Sequence, residues 1–209
     1  MSNKNLVEYP FSKRGPDLQI FAPNVFVRPE SMELGNHVVV DPFTFITAGK
    51  GLLIGSCVHV SCHVSILGGG YCIIEDFVGI CAGTRIITGT DDVWGGGLTG
   101  PTVPSETRSV YRSFVHCKRH SFLGTNCVIQ SGVTLGEGAV VGSGAVVTKD
   151  LEPWGVYYGA PARKVKERPR DAILAFERQL IEQGYVETLD VAPALARIKA
   201  ELEDGQIRV

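Results

Sequence analysis

The chain has 209 residues and a mass of 22.5 kDa, room for one compact domain with an appendage but not for two full domains. Apolar residues make up 44% and charged residues 20%, with a formal charge of −2, which excludes a disordered polyelectrolyte and a strongly basic nucleic-acid binder. The 25 glycines show no Gly-X-Y period, so the chain is expected to turn often and tightly.

In chain order, residues 1–19 read as an N-terminal extension. Met1 to Asp17 carry Lys4, Glu8, Lys13 and Arg14 and no apolar h-region, so no secretory signal is visible and a cytoplasmic protein is expected. The longest uncharged stretch, Gly51 to Ile74, holds five Gly, three Ser, His59 and His63, a poor match to a lipid-facing helix, and no membrane span or membrane partner is expected. The six cysteines form no C-x-x-C pair and read as buried free thiols.

Residues 20–167 carry a period of six. From Leu123 the chain reads LGTNCV, IQSGVT, LGEGAV, VGSGAV, and a similar phase runs upstream through LGNHVV at Leu34, IGSCVH at Ile54, VSCHVS at Val60 and IEDFVG at Ile74. One aliphatic residue per six, with small residues between, suits a chain that turns a corner every six residues and points one side chain inward per face. Three faces make a coil of about 18 residues, and coils stack at the strand spacing of ~4.8 Å. The glycine after the aliphatic residue is expected to take backbone angles that other residues avoid. Two interruptions follow: Gly68 to Tyr71 lengthens one corner, and residues 90–113, rich in Gly and Pro, must leave the rod as a loop.

From Arg168 charged residues become dense and the rod has ended. Pro169 and Asp171 start a helix with Ile173, Phe176, Leu180 and Ile181 on one face and Gly184 as its stop. A second helix is expected near Pro193, with Leu195, Ile198 and Leu202 as its stripe. Residues 168–209 are expected to cap the open end of the solenoid, whose last coil would otherwise expose apolar surface.

The repeats, and above all residues 129–166 with their closing GAPARK segment, resemble the hexapeptide-repeat acyltransferases, in particular the branch that acetylates sugars. The resemblance implies an all-β solenoid, a left-handed parallel β-helix, against the usual right-handed preference of parallel crossovers. It also implies a homotrimer and acetyl-coenzyme A as cosubstrate, with no metal required. Matching the closing motif to the galactoside and maltose acetyltransferase pattern places Thr125, Ser143, Thr148, Arg163 and Lys166 at coenzyme-contacting positions. Lys164 and Arg168 add positive charge nearby, as the coenzyme's phosphates require.

At the acceptor end the sequence departs from that pattern. The sugar O-acetyltransferases carry a general-base histidine in the strand before the large loop; RIITGTDD, residues 85–92, has Asp91 in its place. A hydroxyl needs its proton withdrawn as it attacks, whereas a neutral amine already offers a lone pair. The departure leans toward N-acetylation of a nucleotide-linked amino sugar, for surface polysaccharide or glycan assembly. O-acetylation of a sugar stays open.

Of the remaining candidates, His63 is the expected base, with Asp91 orienting it. His59 and Ser61 share its strand, which the match to the galactoside enzymes puts against the acceptor pocket. Asp91 and Asp92 are alternatively ligands for the acceptor's ammonium or hydroxyls, and His116 and His120 are placed to reach a neighbouring subunit's pocket. Trp94 and Arg108, with Arg112, are expected around the sugar nucleotide. Two other classes remain: a zinc-dependent hydratase using His59 with His63 or His116 with His120, and a non-catalytic assembly subunit.

Overall fold

The computed structural model describes residues 6–208; residues 1–5 of the expected extension and Val209 lie outside the described residues. Short strands form three parallel sheets that wrap into a triangular prism. The first begins at Lys13–Arg14 and continues through Met32–Leu34, Gly51–Ile54, Tyr71–Ile74, Phe114–Cys117 and Val133–Leu135. The second runs from Gln19–Ile20 through His59–Val60 to Gly155–Tyr158, and the third from Val25–Val27 to Val146–Val147. The first coil therefore starts at Lys13, inside the segment expected to be an extension.

Three stacked columns of inward side chains fill the prism: Leu34, Ile54, Ile74, Cys117 and Leu135 on the first sheet, Ile20, Val40, Val60, Ile80, Leu123 and Val141 on the second, and Ile46, Ile66, Ile86, Ile129 and Val147 on the third. All are buried. Each aliphatic side chain so buried contributes about 1.5–3 kcal/mol, but only once the coils above and below are present.

The coil length differs from the expected 18. Glu33, Leu53 and Ile73 pair in register twenty residues apart, whereas after the loop His116 pairs with Thr134 and Phe122 with Val140, eighteen apart. The two extra residues recur at the corner between the third and first sheets, Ala48 to Lys50 and then Gly68 to Gly70. A Cβ on Gly70 would overlap the carbonyl oxygens of Ser113 and Thr88. Residues 90–113 leave the rod at this same corner as an arm, whose base is the antiparallel pair Gly89–Asp91 and Val110–Arg112.

The glycine that follows each aliphatic residue has a different role from the expected one. Gly55 and Gly124 do not lie at positive φ; a Cβ on Gly55 would stand 2.7 Å from the Asp76 nitrogen, and one on Gly124 2.6 Å from the Val141 oxygen. These glycines let one coil's backbone lie on the next. The left-handed residue comes two places later, at His37, Cys57 and Phe77, with φ of 53°, 56° and 60°.

The helices do not cap the open end. Helix α1 (Asp171–Glu182) runs along the corner between the first and second sheets, where Glu177 meets Arg119 and His120. The chain then reaches the early coils, where Tyr185 stacks on His37 at 4.1 Å and the Leu189 N–H donates to the buried Asp76 carboxylate at 3.2 Å. Helix α2 (Ala192–Glu203) lays Ala194 and Ile198 on Tyr71 and Ile73, and Glu201 accepts hydrogen bonds from the Tyr71 hydroxyl (2.6 Å) and Lys50 Nζ (2.5 Å). The physical reason lies on the outside of the rod: Leu53, Ile73 and Phe114 are outward-facing apolar residues of the first sheet, and α2 covers them. The last coil is instead closed by the strand Arg163–Glu167, which folds back antiparallel on Gly155–Tyr158.

Candidate active site

Two concave regions gather most of the candidate residues. The first is a groove on the second sheet, lined by His59, Ser61, Gly79, Cys81, Phe122 and Thr125. The twenty-residue coil sets Asp41, Ser61 and Cys81 in register, each just past an inward aliphatic residue. Asp41 Oδ2 accepts from His59 Nε2 at 2.9 Å and from the Ser61 hydroxyl at 3.3 Å. Gly79 lies beside His59 and Phe122 beside Gly79, so the imidazole borders open space walled by an aromatic ring. Burial raises the Cys81 thiol, leaving it protonated and a weak nucleophile at neutral pH.

The second region is a cavity of about 410 Å³ at the base of the arm, lined by Asp91, Asp92, Trp94, Tyr111, Ser131 and Arg208 among others. Trp94 is 94% exposed on the arm. Asp91 is fully engaged: Arg108 Nε donates to Oδ1 at 2.5 Å and the Gly100 N–H to Oδ2 at 2.8 Å. The Arg108 guanidinium holds this carboxyl below the usual carboxylate range, which makes it a poor proton acceptor. Asp92 accepts from the Trp94 N–H at 2.8 Å and shapes the turn beneath the indole. Arg112 donates to the Gly68 carbonyl at 2.7 Å, while the Arg208 backbone N–H docks on the Arg112 carbonyl, bringing the chain's last described residue to the cavity wall.

The expected pairing of His63 with Asp91 is not made within the protomer. His63 sits at the corner between the second and third sheets, its ring stacked on Phe43 at 5.2 Å and its carbonyl accepting from Arg85; the third sheet separates it from the arm. His116 and His120 are also placed differently from expectation. His116 is buried against Glu75, Nε2 to Oε1 2.6 Å. His120 is buried between Phe77, Trp154 and Glu177 of α1, and burial pushes it down to about 4. The covered flank withdraws both from any neighbouring pocket. Among the described residues no group of three His, Cys, Asp or Glu side chains is arranged to hold a metal ion.

Of the expected coenzyme contacts, Thr125 and Ser143 are exposed on one edge of the prism, where the Gly144 N–H donates to the Thr125 carbonyl at 2.8 Å. Thr148 is exposed on a different edge. Arg163 and Lys166 stand exposed on the closing strand. Lys164 is committed to Glu152 and Glu167 at 2.9 and 2.7 Å, and Arg168 to the carbonyls of His120 and Gly138, so neither is a free cation for phosphate. Reading by hexads missed Asp41, Cys81, Tyr111 and Arg208. The first two carried a legible signal, the twenty-residue column shared with Ser61; Tyr111 and Arg208 carried none.

The family model described as the hexapeptide repeat of succinyl-transferase matches residues 119–149. The dTDP-4-amino-4,6-dideoxy-D-glucose acyltransferase of Escherichia coli is 30% identical over 166 residues, 79% of this chain and 86% of that protein. The galactoside O-acetyltransferase of Escherichia coli K12 is 27% identical over 155 residues, 72% of this chain and 71% of that protein. Among solved structures, AntD, an N-acyltransferase from Bacillus cereus in complex with dTDP and 3-hydroxybutyryl-CoA, superposes with a TM-score of 0.77 at 30% identity, covering 84% of this chain and 92% of that one. A variant of the same enzyme, in complex with dTDP-4-amino-4,6-dideoxyglucose and coenzyme A, also gives a TM-score of 0.77.

Proposed function

The chain belongs to the hexapeptide-repeat acyltransferases, and we propose from that premise that it transfers an acyl group from coenzyme A to the amine of a nucleotide-linked amino sugar. The observation that carries this reading is likeness over most of both chains, at 30% identity, to an enzyme whose named acceptor is a dTDP-linked amino sugar. The arm supports it physically. Among the described residues no histidine lines the arm cavity, and of its two carboxylates Asp91 is paired with Arg108 and Asp92 accepts from the Trp94 N–H. An acceptor in its neutral amine form makes the smallest demand on a base there.

In this reading the pantetheine arm of coenzyme A follows the edge carrying Thr125 and Ser143, with its thioester in the groove beside Cys81, and Arg163 and Lys166 face its phosphates. The acyl group is acetyl. Trp94 and Tyr111 offer aromatic faces to the base of the nucleotide, and Arg208 a cation to its diphosphate. The rod winds left-handed, as its family implies, and three copies assemble. Exposed Val25, Val27 and Phe45 give the third sheet an apolar outer face suited to such packing. Assembly would bring one copy's arm toward the next copy's groove and so unite the two halves of the site. No helix among the described residues is long and apolar enough to cross a membrane. The cytoplasm, where acyl-coenzyme A and sugar nucleotides are both present, is the compartment we assign, and supply of acylated sugars for surface glycans is the role.

The test offers a dTDP-linked amino sugar and its hydroxyl analogue with acetyl-coenzyme A and follows free thiol release. Turnover with the amine is expected. Turnover with the hydroxyl compound alone would establish O-acetylation, the second reading, which the 27% identity to the galactoside O-acetyltransferase favours.

A further inference from the structure

We infer that His59, held by Asp41, is the group that accepts the acceptor's proton during acyl transfer. The inference rests on the acyl-transfer reading and adds to it the base that reading leaves unassigned.

The argument begins with elimination among the five histidines. His37 has both ring nitrogens engaged, Nδ1 with Asp17 at 3.3 Å and Nε2 with the Tyr185 carbonyl at 3.2 Å. His116 and His120 are buried on the flank. His63 lies flat on Phe43 outside both concave regions. His59 alone combines an open position, 56% of its side chain exposed, with a carboxylate partner and a place in the groove.

The partner fixes the tautomer. An ionised carboxylate only accepts hydrogen bonds, so Nε2, 2.9 Å from Asp41 Oδ2, carries the ring proton and Nδ1 keeps its lone pair. Ser61 donates to the same oxygen and holds the carboxylate in place. Gly79 lies beside the ring in the next coil, the Phe122 ring packs over Gly79, and Thr125, an expected coenzyme contact, lines the same groove. The titratable groups facing the imidazole are Asp41 at its own edge and Cys81 across the groove.

The step balances without an outside reagent. The amine nitrogen forms a bond to the thioester carbon, its surplus proton passes to His59 Nδ1, the C–S bond breaks, and the imidazolium returns that proton to the departing thiolate to give free coenzyme A. Asp41 touches none of the reacting atoms and is a positioning residue.

The experiment compares wild type, His59→Gln and Asp41→Asn in the thiol-release assay across pH, together with the 15N spectrum of the free protein. His59→Gln is expected to lower kcat by about a hundredfold or more while the KM for acyl-coenzyme A stays unchanged. Asp41→Asn loosens the hold on the Nε2 proton, so kcat should fall about tenfold or more with the KM for acyl-coenzyme A unchanged, and the share of His59 protonated on Nε2 should drop, which a purely structural role would not produce. The spectrum should show His59 protonated on Nε2. Wild-type kcat and pH profile in His59→Gln, or a proton on Nδ1 of the free protein, would overturn the inference; wild-type turnover of the amino sugar would still stand and keep the broader reading intact.

Discussion

Asp91 and Arg108 meet across the base of the arm, Oδ1 to Nε at 2.5 Å, and join the strand that leaves the rod to the segment that returns. The pair thereby ties the outgoing and returning ends of the arm together. Arg108→Ala should loosen it, raising the KM for the sugar nucleotide several-fold with little change in the KM for acyl-coenzyme A. Water screens an ion pair at the surface, so Tm should change little. Because the folded carboxyl sits below its ordinary value, what the pair does contribute is present above about pH 4 and is lost as pH falls through the folded value. Steady-state kinetics with each substrate varied in turn, and a melting series in pH, check these outcomes.

Arg163 is exposed on the closing strand, and among the described residues its guanidinium donates only to the neighbouring Ala162 carbonyl, at 3.0 Å. Arg163→Ala should therefore weaken acyl-coenzyme A binding by about tenfold, the scale of one charge-assisted hydrogen bond, and leave the acceptor KM nearly unchanged. Calorimetric titration with coenzyme A reads this directly, and an unchanged affinity would remove the closing strand from the coenzyme site.

Ile73 is fully buried between the first sheet and α2 although it faces outward from the rod. Ile73→Ala should cost about 2–4 kcal/mol. Tyr71→Phe, which removes the hydroxyl donated to Glu201, should cost about 1 kcal/mol. Urea unfolding measures both. If the helices were a loosely attached appendage, both costs would be near zero.

His120 is neutral in the fold, pushed down to about 4 by burial and by the charges of Arg119 and Arg168. The unfolded chain binds a proton at this residue below about pH 6.5 and the folded chain does not until about pH 4, so the contribution of neutral His120 to stability is present above pH 6.5 and declines as pH falls toward 4. His120→Gln removes that dependence, and its stability difference from wild type should narrow across this window. Parallel denaturation curves at pH 7 and pH 4.5 provide the measurement.

Gly70 has an ordinary φ, so the objection to a side chain there is space alone. Gly70→Ala forces a methyl group against the Ser113 and Thr88 carbonyls at the corner where the arm departs, and about 3 kcal/mol of destabilisation is expected. Gly95→Ala, with open space around it but a φ of 99°, should cost about 1 kcal/mol through backbone strain.

The hexads made the rod legible because Leu34, Ile54, Ile80 and Leu123 each point inward once per face, and a spacing that repeats along the chain survives folding as a stack. The twenty-residue coil was harder to read. Its extra residues fall at one corner, among glycines, where no aliphatic side chain marks the phase. The helices of residues 168–209 were legible from their stripes, but their resting place was not: hexad counting follows inward residues, and the surface that receives α2 is made by outward ones, Leu53, Ile73 and Phe114. In the same way His116 and His120 read as reachable groups until the flank that covers them was in place.

The sequence by itself determined a stacked, three-faced solenoid with an arm at residues 90–113, because periodic burial is a local property repeated many times. Only the tertiary structure decided which polar residues meet. Asp91 was taken from His63 and given to Arg108, and His59 was joined to Asp41, eighteen residues earlier. Such pairs depend on which edge of the prism a residue occupies and on how many residues each turn consumes, and a change of two residues per coil moves every polar neighbour while leaving the aliphatic core intact.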